Sequence, residues 1–408
     1  MPRSSPRGRS GRNVPGTQVT LLPGREKPVK NRHPWVFSGA IDSIGEDVED
    51  GGVADVVSGS GEFLARGLVN RKSQIVVRLL TWKREESVDT AFFRARIERA
   101  ASSRQNAPAA RIVNAESDGL PGLVVDHYGS CWVVQAFSLG MDRRKGDIVA
   151  CIREVGSPTS VYERSEGEGR EKEGLEKSNG LLLGVEPPEL VTVTERTWNG
   201  DAVSVLVDVR RGHKTGAYLD QADNRRVVGS LSSGAEVLNL FSYTGAFSLH
   251  AAAGGASRVL NVDSSADALA LSERATAENG FSDRVEHLRA DVFDAIRGFR
   301  SEGRRFDIVI ADPPKFAHSA GQVDRAARGY KDLNRVAMDL VRPGGYLATF
   351  SCSGLVSPDL FQKIVWSASI EAKREAQIVR RLSQAADHPV LLSFPEGEYL
   401  KGLVCKVY

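Results

Sequence analysis

The sequence predicts an α/β protein in which a doubly wound, mostly parallel sheet fills the C-terminal half, behind a small β-rich domain and a small α+β domain. Two observations carry this. From about Val191 onward, apolar strand-like runs (AVSVLVDV, EVLNLFS, RVLNVD, FDIVIAD, GYLATFS) alternate with helical segments (AFSLHAAAGG, DALALSERATAENG, YKDLNRVAMDLV). Strands that are apolar throughout belong in a sheet covered by helices on both faces. At 408 residues the chain is also too long for one ordinary core, so two or three domains are the default. No internal repeat is evident.

The elements are read in chain order. Residues 1–16 form a basic tail in which Arg3, Arg7, Arg9 and Arg12 stand among Ser, Pro and Gly; Glu26 is the first acidic residue. Such a tail buries no apolar area and is expected to be disordered. It is able to brush phosphates, and its Arg- and Ser-rich composition also matches an organelle transit peptide, without clear amphipathy. Residues 17–85 carry short apolar runs (VTLLPG, HPWVFSGAI, GGVADVVS, FLARGLV, QIVVRLL) broken by Gly, Pro and Asn, which read as a β-rich domain. His33, Pro34 and Trp35 read as core packing. Lys27, Lys30, Arg32, Arg66, Arg71 and Lys72 make a candidate phosphate-facing surface.

Residues 86–190 open on the helical pattern TAFFRARIERAASSRQ and continue through strands IVNAE, GLVVDHY and CWVVQAF, a helix, and SVYER. The stretch SEGEGREKEGLEKSNG, between Tyr162 and Gly180, is mixed in charge and glycine-rich and reads as a solvated loop. Residues 191–408 hold the parallel sheet.

Composition narrows the function classes. Hydrophobic residues make up 41% and charged residues 26%, an ordinary soluble balance, and the net charge of +2 excludes neither nucleic acid nor small molecules. No apolar run approaches the ~18 residues of a membrane span. The four cysteines, Cys131, Cys151, Cys352 and Cys405, are scattered without CxxC or Cys/His clustering. That argues against structural zinc and a disulfide framework, and fits a reducing cytosol, so the expected location is cytoplasmic with no metal.

In doubly wound sheets ligands bind outside the carboxyl ends of the strands. After EVLNL comes FSYTGAFSLHAA, where Gly245 allows a tight turn before a helix start. One glycine is not the GxGxxG fingerprint, and GHKTG lacks the GxxxxGK[ST] spacing, so a phosphate cradle is poorly supported. The next strand ends in Asp263, eighteen residues beyond Gly245. A carboxylate there accepts from both hydroxyls of a ribose, or else caps the next helix. VEHLRAD ends in Asp291, placed for an exocyclic amine of adenine, and FDIVIADPPKF ends in Asp312. A ligand with ribose and adenine but no phosphate requirement fits, and S-adenosylmethionine (SAM) is the natural candidate. Pro313 and Pro314 hold the chain extended after Asp312, and Phe316 offers an apolar wall. Such a shape suits a flat base.

With these motifs the sequence resembles a known family. Class I SAM-dependent methyltransferases, whose fold is Rossmann-like, carry Asp-Pro-Pro or Asn-Pro-Pro at this strand end. GHKTGAYLDQADNR (residues 212–225), LNLFSYTGAFSLHAAAGGA, DPPKF and FSCSG, in this order, resemble the large-subunit (23S-type) ribosomal RNA cytosine-5 methyltransferases. HPWVFSGAI and the basic β-rich segment fit that family's PUA-type RNA-binding domain, and NAESDGLPGLVVDHYG its small middle domain. The resemblance implies that Phe241, Tyr243 and Gly245 lie along the SAM loop, with Asp263 on the ribose, Asp291 near the adenine and Gln221 facing the cofactor. Ala222 stands where the family often has Arg, so one polar contact near the cofactor or RNA is either missing or replaced by Arg225 or Arg226. It implies large-subunit ribosomal RNA as partner; a homodimer is left open.

Cys352, in FSCSG, completes the chemistry. Carbon 5 of cytosine is too weak a nucleophile to take a methyl group unaided, and a thiolate adding to C6 converts the ring to an enamine. Asp312 is the available acid near N3. The strands ending at Asp312 and near Phe350 are neighbours in a methyltransferase sheet, so the two side chains face one base. Cys131, Cys151 and Cys405 read as structural. Two other readings stand beside this one: methylation of a guanine or adenine nitrogen, which needs no thiol, and a non-catalytic RNA-binding or ribosome-assembly protein.

Overall fold

The computed structural model describes residues 16–104 and 106–408. The tail expected over residues 1–16, with its disorder and targeting readings, lies outside the described residues apart from Gly16. Among the described residues no helix is long and apolar enough to cross a membrane.

The first sheet has six strands in the order Trp35–Phe37, Ile75–Thr81, Phe63–Val69, Val53–Val57, Gln18–Leu21, Ile41–Ile44. Alternation turns Val19, Leu21, Val56, Val77 and Leu79 into one apolar core. The expected phosphate-facing surface is corrected in part. Arg66 pairs with Asp55 at 2.6 Å, Arg71 with Asp50 at 3.2 Å, and Lys30 with Glu62 at 3.4 Å. The fold brings these carboxylates close, Asp55 from the neighbouring strand and Asp50 and Glu62 from turns and loops, which composition does not reveal. His33 and Trp35 are also not simple core: their rings pack at 5.8 and 4.6 Å on Phe394 of the C-terminal domain.

The middle domain is a five-stranded sheet ordered Ser178–Gly184, Ser160–Ser165, Cys131–Ala136, Leu123–Tyr128, Ala109–Asn114. Helices Thr90–Ala101 and Lys145–Gly156 bury Phe93, Ile97, Ile148 and Ile152 against it. The glycine-rich charged stretch is not a solvated loop. It holds a short helix, Glu168–Lys172, and leads into the Ser178–Gly184 strand. Arg170 and Glu173 are only 3% and 2% exposed. Arg170 donates to Asp142 at 2.8 Å, and Glu173 accepts from Arg78 of the first domain at 2.8 Å. Buried charges are tolerated when each is paired and hydrogen-bonded, and here the partners come from distant elements.

AVSVLVDV does not enter the parallel sheet. Its strand, Ala202–Val207, pairs only with Val191–Arg196 in an antiparallel hairpin. The hairpin's apolar face (Val193, Val203, Val205) packs on Tyr128 and Val133 of the middle domain and on Leu249 and Ala275 of the C-terminal domain. It is a seam between two bodies.

The main sheet has seven strands in the order Val285–Arg289, Arg258–Asp263, Glu236–Leu240, Phe306–Ala311, Val341–Ser351, Lys401–Val407, Ala376–Ser383. The first five run parallel, and Lys401–Val407 is antiparallel to both its neighbours. Leu238 and Leu240 face helices Val292–Ser301 and Val323–Leu340, whereas Val237 faces Ala222–Ser230 and Ala246–Ala253. Burial on both faces is why these strands are apolar throughout. Strand order reverses between Glu236–Leu240 and Phe306–Ala311, which fixes the ligand crevice at their carboxyl ends.

Candidate active site

Register sets the geometry. Leu240 lies opposite both Val262 and Ala311, and Ala311 lies opposite Thr349. The next residues along three of these strands, Phe241, Asp263 and Asp312, therefore emerge at one level. Cys352 stands just past the end of the fourth.

The FSYTG turn is strained. Phe241, Tyr243 and Gly245 have φ of 58°, 48° and 76°. Left-handed backbone costs a non-glycine residue ~1–2 kcal/mol, and such outliers cluster at ligand sites. A Cβ on Gly245 would fall on Ser272 Oγ. That hydroxyl belongs to a polar chain running from Asn239 through Ser248 and Asn261 to Ser272 and on to His287, which ties the helices on this face to the sheet. Asp263 Oδ2 accepts from Tyr243 N at 2.8 Å and Oδ1 from Ser265 N at 2.9 Å. The cap of the next helix is Ser265, not Asp263. Asp263 thus staples the turn while remaining partly open to solvent. Asp291 is exposed and caps Val292–Ser301 through Asp294 N at 3.1 Å.

These residues fit a nucleoside cofactor. Asp263 offers carboxylate lone pairs to a ribose diol, and the buried Ser242 hydroxyl has no hydrogen-bond partner among the described residues. Phe241 meets Phe293 at 6.2 Å, Phe293 meets Phe316 at 6.4 Å, and Phe316 meets Tyr330 at 4.6 Å, an aromatic arc from the turn to the DPPKF segment.

Among the described residues Asp312 takes its hydrogen bond from one side. Gln221 Nε2 donates to its Oδ2 at 2.9 Å, and Gln221 Oε1 accepts from Asn224 at 2.6 Å. Gln221, expected to face the cofactor, has both ends of its amide engaged within the protein and serves the carboxylate. Beside it, Asp220 accepts from Lys214 and from Tyr399 OH, each at 2.7 Å. Burial alone would raise the Asp220 carboxyl; the Lys214 ammonium outweighs it and holds the group well below the usual range. Asp312 experiences the reverse. Burial, and then the Asp220 charge, push it up to about 7.

Cys352 is half-buried, whereas Cys131, Cys151 and Cys405 are buried. Burial first, and the Asp312 charge second, push its thiol above the ordinary range. Its loop is clamped. Lys401, 5% exposed, donates to Ser353 O at 2.6 Å and Val356 O at 2.7 Å. Burial brings this lysine down to about 8. Ser351 donates to Tyr330 OH at 3.0 Å, and Ser353 to Ala317 O at 3.3 Å, coupling the cysteine loop to the DPPKF segment. Pro313 is buried and Phe316 half-buried in that segment.

The GHKTG loop covers the turn: His213 stacks on Tyr243 at 4.6 Å and its N–H donates to Tyr243 OH at 2.8 Å. Arg225 does not replace the arginine missing at Ala222. It is buried and paired with Glu195 at 2.5 Å, and Arg226 points to Asp223 on the surface. Sequence reasoning missed Lys214, Asp220, Phe293 and Lys401. The first two stand inside the quoted GHKTGAYLDQ motif, which was a signal; the other two carry none.

The PUA-like domain family matches residues 19–82, and the S-adenosylmethionine-dependent methyltransferase family matches residues 180–397, more than half of the chain. The chain belongs to the SAM-dependent methyltransferases. Among its relatives, the ribosomal RNA large subunit methyltransferase I of Shewanella amazonensis is 46% identical over 398 residues, covering 96% of this chain and 99% of that one. The protein of the same name from Alteromonas mediterranea is 46% identical over 397 residues, covering 96% and 98%. A solved methyltransferase structure complexed with SAH is 25% identical with a TM-score of 0.82, covering 95% of this methyltransferase and 99% of that chain. A methyltransferase structure from Streptococcus mutans, 24% identical with a TM-score of 0.81, shares the fold over the same span.

Proposed function

We propose that this methyltransferase forms 5-methylcytidine in large-subunit ribosomal RNA through a covalent bond between Cys352 and C6 of the target base. The RNA class is supported by the names of relatives aligned over nearly the whole chain. The chemistry rests on one observation: the one half-buried cysteine among the four stands one strand from a carboxyl raised to about 7, and the two groups share a field.

Each negative charge disfavours the other, so the pair resists holding two charges at once; in the reacting form its one proton sits on Asp312 and Cys352 is the thiolate. As the Cys352 sulfur bonds to C6, the C5–C6 double-bond electrons move toward C5. Asp312, in its acid form, delivers its proton to N3, keeping the ring neutral. Gln221 fixes the carboxyl orientation during this transfer. When bound, SAM supplies an electrophilic methyl group on its sulfonium for C5; Asp263, the FSYTG turn and Asp291 are the residues that would hold it. Loss of the C5 proton to a base then lets the S–C6 bond break and expels the Cys352 thiolate, while N3 returns its proton to Asp312, restoring the neutral aromatic ring and both groups. Phe316 and Pro313 wall the base.

The test uses RNA transcripts containing 5-fluorocytidine. Fluorine at C5 blocks the final elimination, so a protein–RNA adduct resistant to denaturing electrophoresis should accumulate with wild type and be absent with Cys352→Ala. Methyl transfer by Cys352→Ala at near wild-type rate refutes the cytosine-5 assignment and favours a ring or exocyclic nitrogen.

A further inference from the structure

A cavity of about 620 Å³ opens where the three domains meet, and none of the strand-end residues above lines it. Its size is that of a small-molecule or nucleotide site. The first domain contributes Arg32, Trp82 and Lys83, the middle domain Arg96 and Arg99 from one helix face, and the C-terminal domain Leu391 and Ser393.

Charge is unbalanced there. Of the carboxylates in the wall, Glu116 is taken by Trp35 Nε1 at 2.9 Å and by Arg78 at 3.5 Å, and Glu86 faces Arg96 at 3.5 Å. Among the described residues Arg99 reaches a carbonyl, Asp118 O, at 3.4 Å and no carboxylate. Arg32 lies over the Trp82 ring at 5.4 Å, without a carboxylate in reach among the described residues. Burial, and next the Arg99 charge, lower the Arg96 guanidinium, the mark of a cation crowded by another. Trp82 is half-buried and fixed by its indole N–H on Val29 O at 2.8 Å, which presents a rigid flat face beside these cations.

We infer that this cleft is an RNA-contact site, in which Arg96, Arg99 and Lys83 hold backbone phosphate and Trp82 with Arg32 stacks an unpaired base. Arginine forks and a fixed indole are the two elements that single-stranded RNA recognition combines. The inference rests on the ribosomal RNA reading and deepens it. The cleft is also wired to the chemistry. Residues 384–400 join the last two strands of the main sheet; Ser393 Oγ donates to Arg32 O at 2.9 Å, and Ala385 N donates to Asp220 O at 2.9 Å. A strand of RNA seated in the cleft would lie against the segment that buttresses Asp220.

The experiment measures binding of a fluorescein-labelled large-subunit ribosomal RNA fragment by anisotropy across a salt series, with full-length wild type and an Arg96→Ala/Arg99→Ala variant. The variant should bind roughly tenfold or more weakly at ~0.1 M salt. Its slope of log K against log salt should fall by about 1.5, for two lost phosphate contacts. In methyl-transfer assays KM for RNA should rise while kcat and SAM affinity hold. Arg96→Lys/Arg99→Lys should recover most of the slope. A wild type that methylates the fragment, with a variant of unchanged Kd and slope, overturns the cleft assignment alone. A Kd that rises with the slope unchanged marks a structural effect and overturns it too. A wild type that methylates no large-subunit RNA overturns both this inference and the reading beneath it.

Discussion

Replacing Asp312 by Asn removes one negative charge from beside Cys352 and should drive stability, thiol reactivity and catalysis in different directions. The carboxyl sits at about 7 against an ordinary 3.8. A difference of about 3 corresponds to ~4 kcal/mol, an upper bound because Asp312 is only half-buried and solvent screens part of it. The native state binds this proton more tightly than the unfolded chain, so between pH ~4 and ~7 stability falls as pH rises, and above 7 the whole cost persists. Asp312→Asn should therefore be more stable than wild type at pH 8, by up to ~4 kcal/mol in urea unfolding, while still accepting the Gln221 hydrogen bond. The same substitution removes the second-largest influence holding the Cys352 thiol up. Alkylation by iodoacetamide, followed by mass spectrometry of the Cys352 peptide from pH 6 to 10, should show a lower midpoint in the variant. Methyl transfer should nonetheless fall by ~10²–10⁴, the usual contribution of a positioned acid. A variant that is less stable at pH 8, with an unmoved alkylation midpoint, would refute the electrostatic account. Retained methyl transfer would refute the acid role.

Three further outcomes are expected. Asp263→Ala should weaken SAM binding by about 10- to 100-fold in calorimetry, since hydrogen bonds to a charged group contribute ~1.5–3 kcal/mol, with RNA binding unchanged. Lys401→Met strips the donor from Ser353 O and Val356 O and removes the cation coupled to Cys352; alkylation of Cys352 at pH 8 should slow, opposite to Asp312→Asn, and Lys401→Arg should restore most of the rate. Glu195 lies at about 2 because the Arg225 guanidinium and His250 overcome its burial. Its stabilisation is present above the ordinary ~4.5 and lost as pH falls toward 2, so Glu195→Gln should lower the free energy of unfolding measured in urea at pH 7 by ~3–5 kcal/mol and flatten its decline in acid.

Much of the fold was legible because it follows from local regularities. Apolar strands in alternation with helices, each strand ending in Asp or a turn residue, locate the parallel sheet and its ligand edge without any long-range information. The strand-end position of Asp263, Asp291 and Asp312 follows the same way. The failures share a cause. SEGEGREKEGLEKSNG has the composition of a solvated loop, yet Arg170 and Glu173 are buried because Asp142 and Arg78 arrive from other elements. AVSVLVDV has a strand's pattern, and pattern does not say which strand it joins.

The sequence by itself determined the architecture of the C-terminal domain, the FSYTG turn that Gly245 closes, and the place of Cys352 and Asp312 at neighbouring strand ends, the pair proposed to react. Tertiary structure alone decided their ionisation. Asp220 raises Asp312 because Lys214 and Tyr399 hold it charged, and Lys401 braces the cysteine loop from a strand nearly fifty residues away. Coulomb interactions and burial depend on distances through space, and the chain sets those distances only when it folds.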